Sequence, residues 1–423
     1  MFNRGCCCPL IVSGISFLVL LDGGQAFAQA TGNVQVSSGA SGGARLDSLQ
    51  QLLLSPPEPR LNLFAVSEYQ HEDFDGYTED ALLFDPTGVF AGLSVDNGVL
   101  VPDFDVTSGS VSVGADYLFT NGLLIGASFD YTNGDFDFDD PSPGSVQQDL
   151  IGLDPVTNPA DLTTFVQNGG FGSPLDREFD EYGVTLAAGY VLDPWTFLLA
   201  ASYSRRDIET KRREFNDAFQ FFENEADFSS DNYSIDVGVA YRFDVAQLTI
   251  QPQASIGYRR EEVDDYTEDP GRQFEDNPGS PVFDGDFEEV RPGDPDFDPA
   301  ADTRRRFNDQ TIESIPLTLG VLLGYPLGLA VPWFELSNVR GGVSYTHDFE
   351  DQKRTVEARS INFPEFSVEY EEENRNEDFV TFTGSLEFRL FARVRGALTY
   401  EHDEGFDERE RADRVRLQLR AAL

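Results

Sequence analysis

Residues 233 to 243 alternate in character. Tyr233, Ile235, Val237, Val239, Tyr241 and Phe243 share one parity, whereas Ser234, Asp236, Gly238, Ala240 and Arg242 share the other. A period of two predicts a strand. After Asp244 to Gln247 the pattern resumes, with Leu248, Ile250, Pro252, Ala254, Ile256 and Tyr258 on one face and Thr249, Gln251, Gln253, Ser255 and Arg259 on the other or just beyond it. The apolar faces carry rings near their ends and smaller aliphatic side chains between them. A bilayer imposes that order, with amphipathic rings at the headgroups and hydrocarbon in the middle. The hairpin predicts one piece of a transmembrane β-barrel.

Twelve strand-like segments follow from residue 61, near 61–70, 107–119, 123–134, 180–192, 195–208, 228–243, 248–262, 309–325, 329–348, 378–390, 393–402 and 411–423. Val111, Val113, Ala115, Tyr117 and Phe119 are expected outward in the second, and Trp195, Phe197, Leu199, Ala201 and Tyr203 in the fifth. Ile315, Leu317, Leu319, Val321, Leu323 and Tyr325 do the same in the eighth. The first strand is ambiguous. The ninth changes parity between Leu336 and Val339, which predicts a bulge near Ser337 and Asn338.

The connections alternate between short and long. The short ones are Thr120-Asn121-Gly122, Asp193-Pro194, Asp244 to Gln247, Pro326-Leu327-Gly328 and Phe391-Ala392. The long ones lie at 71–105, 135–179, 209–227, 263–308, 349–377 and 403–410. Outer-membrane barrels separate periplasmic turns from extracellular loops in this way. The expected fold class is therefore all-β: an antiparallel transmembrane β-barrel of about 12 strands, closed so that no strand edge is left free.

Beyond the N-terminus no apolar run reaches the roughly 18 residues that a spanning helix needs, so only a closed barrel satisfies its backbone in lipid. Arg4, the apolar run Leu10 to Leu21 and the Ala26-Phe27-Ala28 site predict a signal peptide over 1–28. Residues 29–60 read as a flexible lead-in, with a possible short helix at Arg45 to Leu54 that lies either in the lumen or on the periplasmic side. The barrel takes 61–423. Cys6, Cys7 and Cys8 all fall within the signal segment, so the exported chain is expected to hold neither a disulfide nor a cysteine-ligated metal. The formal charge of −45 excludes a nucleic-acid partner. Most of that charge sits in the six long connections, which predicts an acidic outer surface.

Three histidines occur, each in a repeated motif: Tyr69-Gln-His71-Glu72, Tyr345-Thr-His347-Asp348 and Tyr400-Glu-His402-Asp403. An interface girdle explains them, formed by Tyr69, Tyr233, Phe243, Tyr258, Tyr345 and Tyr400. A rim lipid hydrolase with His as base is the alternative. No serine accompanies these histidines on a shared face, and the adjacent carboxylate faces the other way.

The predicted lumen lining is Arg389, Arg393, Arg395, Arg414, Arg416 and Arg420, with Asp116, Asp130 and Asp236 elsewhere on the wall. It reads either as a transverse field across a pore or as structural Arg–carboxylate pairs. The runs Asp73-Phe74-Asp75, Asp135-Phe136-Asp137-Phe138-Asp139 and Asp294-Pro295-Asp296-Phe297-Asp298 read as acidic loop surface. Loose calcium binding there is a further possibility; no other cofactor is expected.

VRGGVSYTHDFEDQKR at 339–354, GALTYEH at 396–402 and the terminal RVRLQLRAAL resemble the β-domain of autotransporters. The resemblance implies an outer-membrane barrel in a Gram-negative bacterium whose last strand is read by the barrel-insertion machinery. The chain ends in Leu423 where that family favours an aromatic, and about thirty residues separate the expected cleavage site from strand one. A passenger-less barrel is therefore expected. Its expected role is non-enzymatic, either presenting surface loops or passing small solutes, with a lipid hydrolase or a calcium-dependent adhesin as alternatives. Its expected partner is outer-membrane lipid.

Overall fold

The computed structural model describes residues 25–27, 35–37, 60–75, 77–84, 93–101, 104–138, 173–217, 220–276, 287–294, 304–331, 333–349, 354–361, 367–372, 378–390, 394–406 and 410–423. The expected helix at Arg45 to Leu54 and Arg393 lie outside them. Near the N-terminus, Gln25–Phe27 pairs with Gln35–Ser37.

Twelve antiparallel strands form the barrel: β1 Arg60–Phe74, β2 Phe104–Leu118, β3 Leu123–Phe138, β4 Ser173–Leu192, β5 Trp195–Asp217, β6 Gln220–Tyr241, β7 Leu248–Val263, β8 Pro316–Val331, β9 Phe334–Asp348, β10 Asp378–Leu390, β11 Val394–Gly405 and β12 Glu410–Ala422. Each pairs with its sequence neighbours, and β12 pairs with β1 to close the ring. Every predicted strand is present. The first is now assigned: Leu61, Leu63 and Tyr69 face out, and Asn62, Glu68, Gln70 and Glu72 are buried inside. The alternation comes from the pleat, since side chains two apart must meet either lipid or lumen.

Three expectations change. Pro326-Leu327-Gly328 is not the turn between β8 and β9. Leu329, Ala330 and Val331 pair with Leu336, Glu335 and Phe334, so the hairpin tip lies beyond Val331. The Pro326–Leu329 stretch is instead a bulge, with Gly328 at φ 61°, a left-handed conformation that glycine adopts without strain. It faces the predicted irregularity in β9, where register shifts between Leu336 and Asn338.

Second, 209–227 is not a loop. The β5–β6 ladder continues to Asp217 and Gln220, making strands of 23 and 22 residues. A tilted membrane strand needs only about 9–11 residues. In β5 that length takes the outward apolar face from Trp195 to Tyr203; Arg205, Asp207 and Glu209 continue it as a charged face in water.

Third, the aspartate–aromatic runs near 73–75 and 135–138 belong largely to strands. Beyond the membrane the polarity inverts, so that Asp105, Asp135 and Asp137 face out and Phe104, Phe136 and Phe138 are buried inside. The long connections also fold. Tyr266–Thr267, Arg305–Phe307, Arg354–Ser360, Ser367–Glu372, Tyr77–Phe84 and Leu93–Val101 make a separate six-stranded antiparallel sheet that joins three of them.

Candidate functional site: the lumen wall and the loop-end rim

The seam of the barrel sets the lumen. β12 presents Arg414, Arg416 and Arg420 on its inward parity, and register places carboxylates within their reach. Arg416 Nε donates to Glu68 Oε2 at 2.5 Å, and its Nη2 donates to Glu401 Oε2 at 3.2 Å. Arg414 bonds Asp403 and lies 3.6 Å from Glu401. Arg420 Nη2 donates to Asp116 Oδ2 at 2.6 Å, Asn62 donates to the other oxygen at 2.6 Å, and the guanidinium lies over the Phe64 ring. The predicted Asp116 thus meets a predicted Arg. The other two predicted acids do not meet that group: Asp130 accepts from Ser112 and Thr185, and Asp236 lies 3.7 Å from Arg259. Arg389 and Arg395 sit near the short-turn mouth, where Arg389 lies 3.3 Å from Glu335.

Positive and negative groups are interleaved on the wall. In a low-dielectric interior each charge needs a partner, and the Arg fork supplies several bonds at once.

Toward the loop end, inward rings cluster along β1 to β4. Phe74 stacks on Phe104, which contacts Phe136 and Phe138, and Phe136 contacts Phe179. Phe228 on β6, Tyr266 and Phe307 stack in turn. The buried Arg177 guanidinium bridges the two groups, 5.8 Å from the Phe136 centroid and 6.0 Å from that of Phe228. Arg206 and Arg212, also buried, bond Glu181 and Glu268. Sequence inspection missed this layer because its aromatics alternate with acidic residues and read as loop surface.

Outside, the tyrosines make a second set of bonds. The Tyr400 hydroxyl donates to Asp413 Oδ1 at 2.5 Å, and His402 Nδ1 lies 2.9 Å from the same oxygen. Tyr345 and His347 share Asp378 in the same way. The carboxylate that each of these histidines shares with a Tyr therefore comes from the neighbouring strand, which only register reveals, and His402 Nε2 also lies 3.3 Å from Glu404 on its own strand. Phe243 faces lipid at the short-turn end, and Tyr69, Tyr233 and Tyr258 face it at the loop end.

His71, Asp73 and Asp105 bring three ligand atoms within 4.8 Å of one another. One imidazole and two carboxylates on an exposed surface suit a divalent ion. Beyond the Tyr ring, Asp73, Asp105, Asp137 and Asp176 lie opposite one another on four successive strands. Burial raises the Asp105 carboxyl above the usual range, with Asp73 adding to it. Asp135 is raised by burial and then by Asp137, Glu178 and Asp176.

A family model described as the autotransporter β-domain matches residues 87–154 and 172–277. These lie ahead of the strands whose motifs carry the resemblance. No curated protein matches the sequence. The translocator domain of the autotransporter NalP from Neisseria meningitidis superposes with a TM-score of 0.51 at 9% identity, covering 91% of this chain and 96% of that one. The β-domain of the Bordetella autotransporter BrkA has a TM-score of 0.48 at 12% identity, covering 86% and 100%. The transport unit of AIDA-I from Escherichia coli has 0.46 at 8%, covering 91% and 98%. A closed ring of twelve antiparallel strands with a lipid-facing exterior makes the chain a β-barrel of the Gram-negative outer membrane, similar to the autotransporter β-domain over the residues that the family model matches.

Proposed function

We propose that the barrel is a closed, non-catalytic scaffold that carries its acidic loop-end sheet and the long β5–β6 projection outside the cell. The observation that carries this reading is the set of paired charges and packed rings on the inner wall. Arg414, Arg416 and Arg420 hold carboxylates on β1, β2 and β11, and the Phe136–Arg177–Phe228 layer lies above them. The pairing of His347 and His402 with a Tyr-bound carboxylate supports a role without a nucleophile. The test is single-channel recording in planar bilayers. The purified chain should be electrically silent, and Arg177→Ala with Phe136→Ala should raise the frequency of openings. Steady ohmic conductance of the unaltered chain would overturn the reading and favour passage of small solutes.

The polar wall does favour that second reading at one end. The exposed Arg389–Glu335 pair at the short-turn mouth supports it, and a solute path would then have to be completed through the ring layer.

A further inference from the structure

The Tyr-x-His motif occurs three times, yet its three imidazoles end in different company. His402 has a carboxylate at each nitrogen, with Asp413 Oδ1 2.9 Å from Nδ1 and Glu404 Oε2 3.3 Å from Nε2. The two nitrogens point apart, so those acids cannot converge. His347 has Asp378 at Nδ1 and the Phe349 ring packed edge-on against it.

His71 differs from both. On β2 it faces Thr107 rather than an acid, and Thr107 Oγ1 lies 3.4 Å from Nδ1. On β12 it faces Asp413, which Tyr400 and His402 already share. Its Nε2 lies 3.3 Å from Asp73 Oδ1, and Asp105 stands directly across the ladder from Asp73. One imidazole nitrogen and two carboxylate oxygens thus come together within 4.8 Å, the one such convergence among the described residues.

Two further features suit this point to a cation. Like charges directly opposite one another destabilise a sheet pair, and Asp73 with Asp105 is such a pair. Their other ladder neighbours leave it standing: Arg411, opposite Asp73, bonds Glu404 at 3.2 Å, and Asp105 is followed by Asp137. The second feature is the anchored ring. A metal-bound His donates its other N–H to an oxygen, which fixes the tautomer and aims the free lone pair. Thr107 is placed to accept from Nδ1 and so to leave Nε2 for the ion.

Spacing and donor type select the ion. Ligand atoms about 2.0–2.1 Å from a tetrahedral ion stand roughly 3.3 Å apart. His71 Nε2 and Asp73 Oδ1 already keep that distance. Calcium takes about 6–8 oxygen ligands, whereas an imidazole beside carboxylates suits a first-row transition dication or zinc. We propose that His71, Asp73 and Asp105 form a surface site for a divalent ion of the zinc type. The ion ties β1 to β2 beyond the membrane and keeps a fourth position open to water.

The test is isothermal titration calorimetry of the full chain, purified in detergent without a histidine tag and stripped with EDTA, with zinc chloride and calcium chloride as probes. One Zn2+ should bind per chain, about a hundredfold tighter than Ca2+. His71→Ala and Asp105→Asn should each abolish that step, and His347→Ala should leave it unchanged. Absence of the step, its survival in either of the first two variants, its equal loss in His347→Ala or its match by calcium overturns the proposal. Should the variants not fold, X-ray absorption of the zinc-loaded unaltered chain decides. One imidazole nitrogen among oxygens is expected; a shell of oxygen alone, or one with sulfur or a second imidazole, overturns the proposal.

Discussion

Arg416 and Glu68 stand directly opposite each other on the last and first strands, and their 2.5 Å bond lies on the seam that closes the barrel. Both are buried. Breaking such a pair strands a charge in the interior, which costs about 3–5 kcal/mol, whereas replacing both partners by apolar groups is often neutral. Glu68→Ala should therefore lower the urea midpoint of the folded barrel, and Glu68→Met with Arg416→Met should restore most of it. Equal losses in the single and double variants would show that the pair itself does not hold the seam.

Gly114 is fitted to a ring. A Cβ there would lie 2.3 Å from Cζ of Phe64, over whose ring Arg420 sits as it reaches Asp116, and 2.4 Å from the Ala127 carbonyl oxygen. Gly114→Ala should displace Phe64 and Arg420 together and cost about 1–3 kcal/mol, as overpacking does. A double-mutant cycle with Phe64→Ala measures the coupling.

The outward aspartate rows make stability depend on pH in the reverse of the usual carboxylate sense. Asp105 and Asp135 have folded-state values raised above the ordinary one, so the folded chain holds more protons than the unfolded chain within that window. Stability should fall as pH rises from the ordinary carboxylate value through the raised one, and recover with salt. Asp105→Asn should stabilise the loop end by roughly 0.2–1 kcal/mol, the range for a cross-strand pair. Hydrogen exchange of the β1–β3 amides beyond the Tyr ring, followed against pH, checks the sign.

The β5–β6 projection should resist proteases although it carries basic residues. Lys211 and Arg212 are held in the ladder, and Lys211 lies 3.1 Å from Asp176. Trypsin should leave this region intact on whole cells. Ala226→Pro removes an N–H opposite Thr210 and should make cleavage at Lys211 or Arg212 appear, detected by peptide mapping.

Alternation in the chain was enough to locate all twelve strands, because lipid tolerates few polar groups on the outward parity of residues such as Tyr233, Ile235 and Val237. The same rule lost its reach beyond the membrane. There water accepts Asp135 and Asp137 outside while Phe136 packs inside, so the period survives but its polarity reverses. The turn at Pro326-Leu327-Gly328 was misplaced for a local reason: Pro and Gly mark bulges as readily as turns, and pairing of Val331 with Phe334 decides between them.

What partners each charge was beyond any single stretch of sequence. Arg416 meets Glu68 across 348 positions because the ring closes β12 on β1, and Asp413 meets His402 because the β11–β12 hairpin sets that register. Periodicity is a property of one strand in a two-sided environment and can be read along it. Register is a relation between strands, and it alone gave His347 and His402 their partners Asp378 and Asp413.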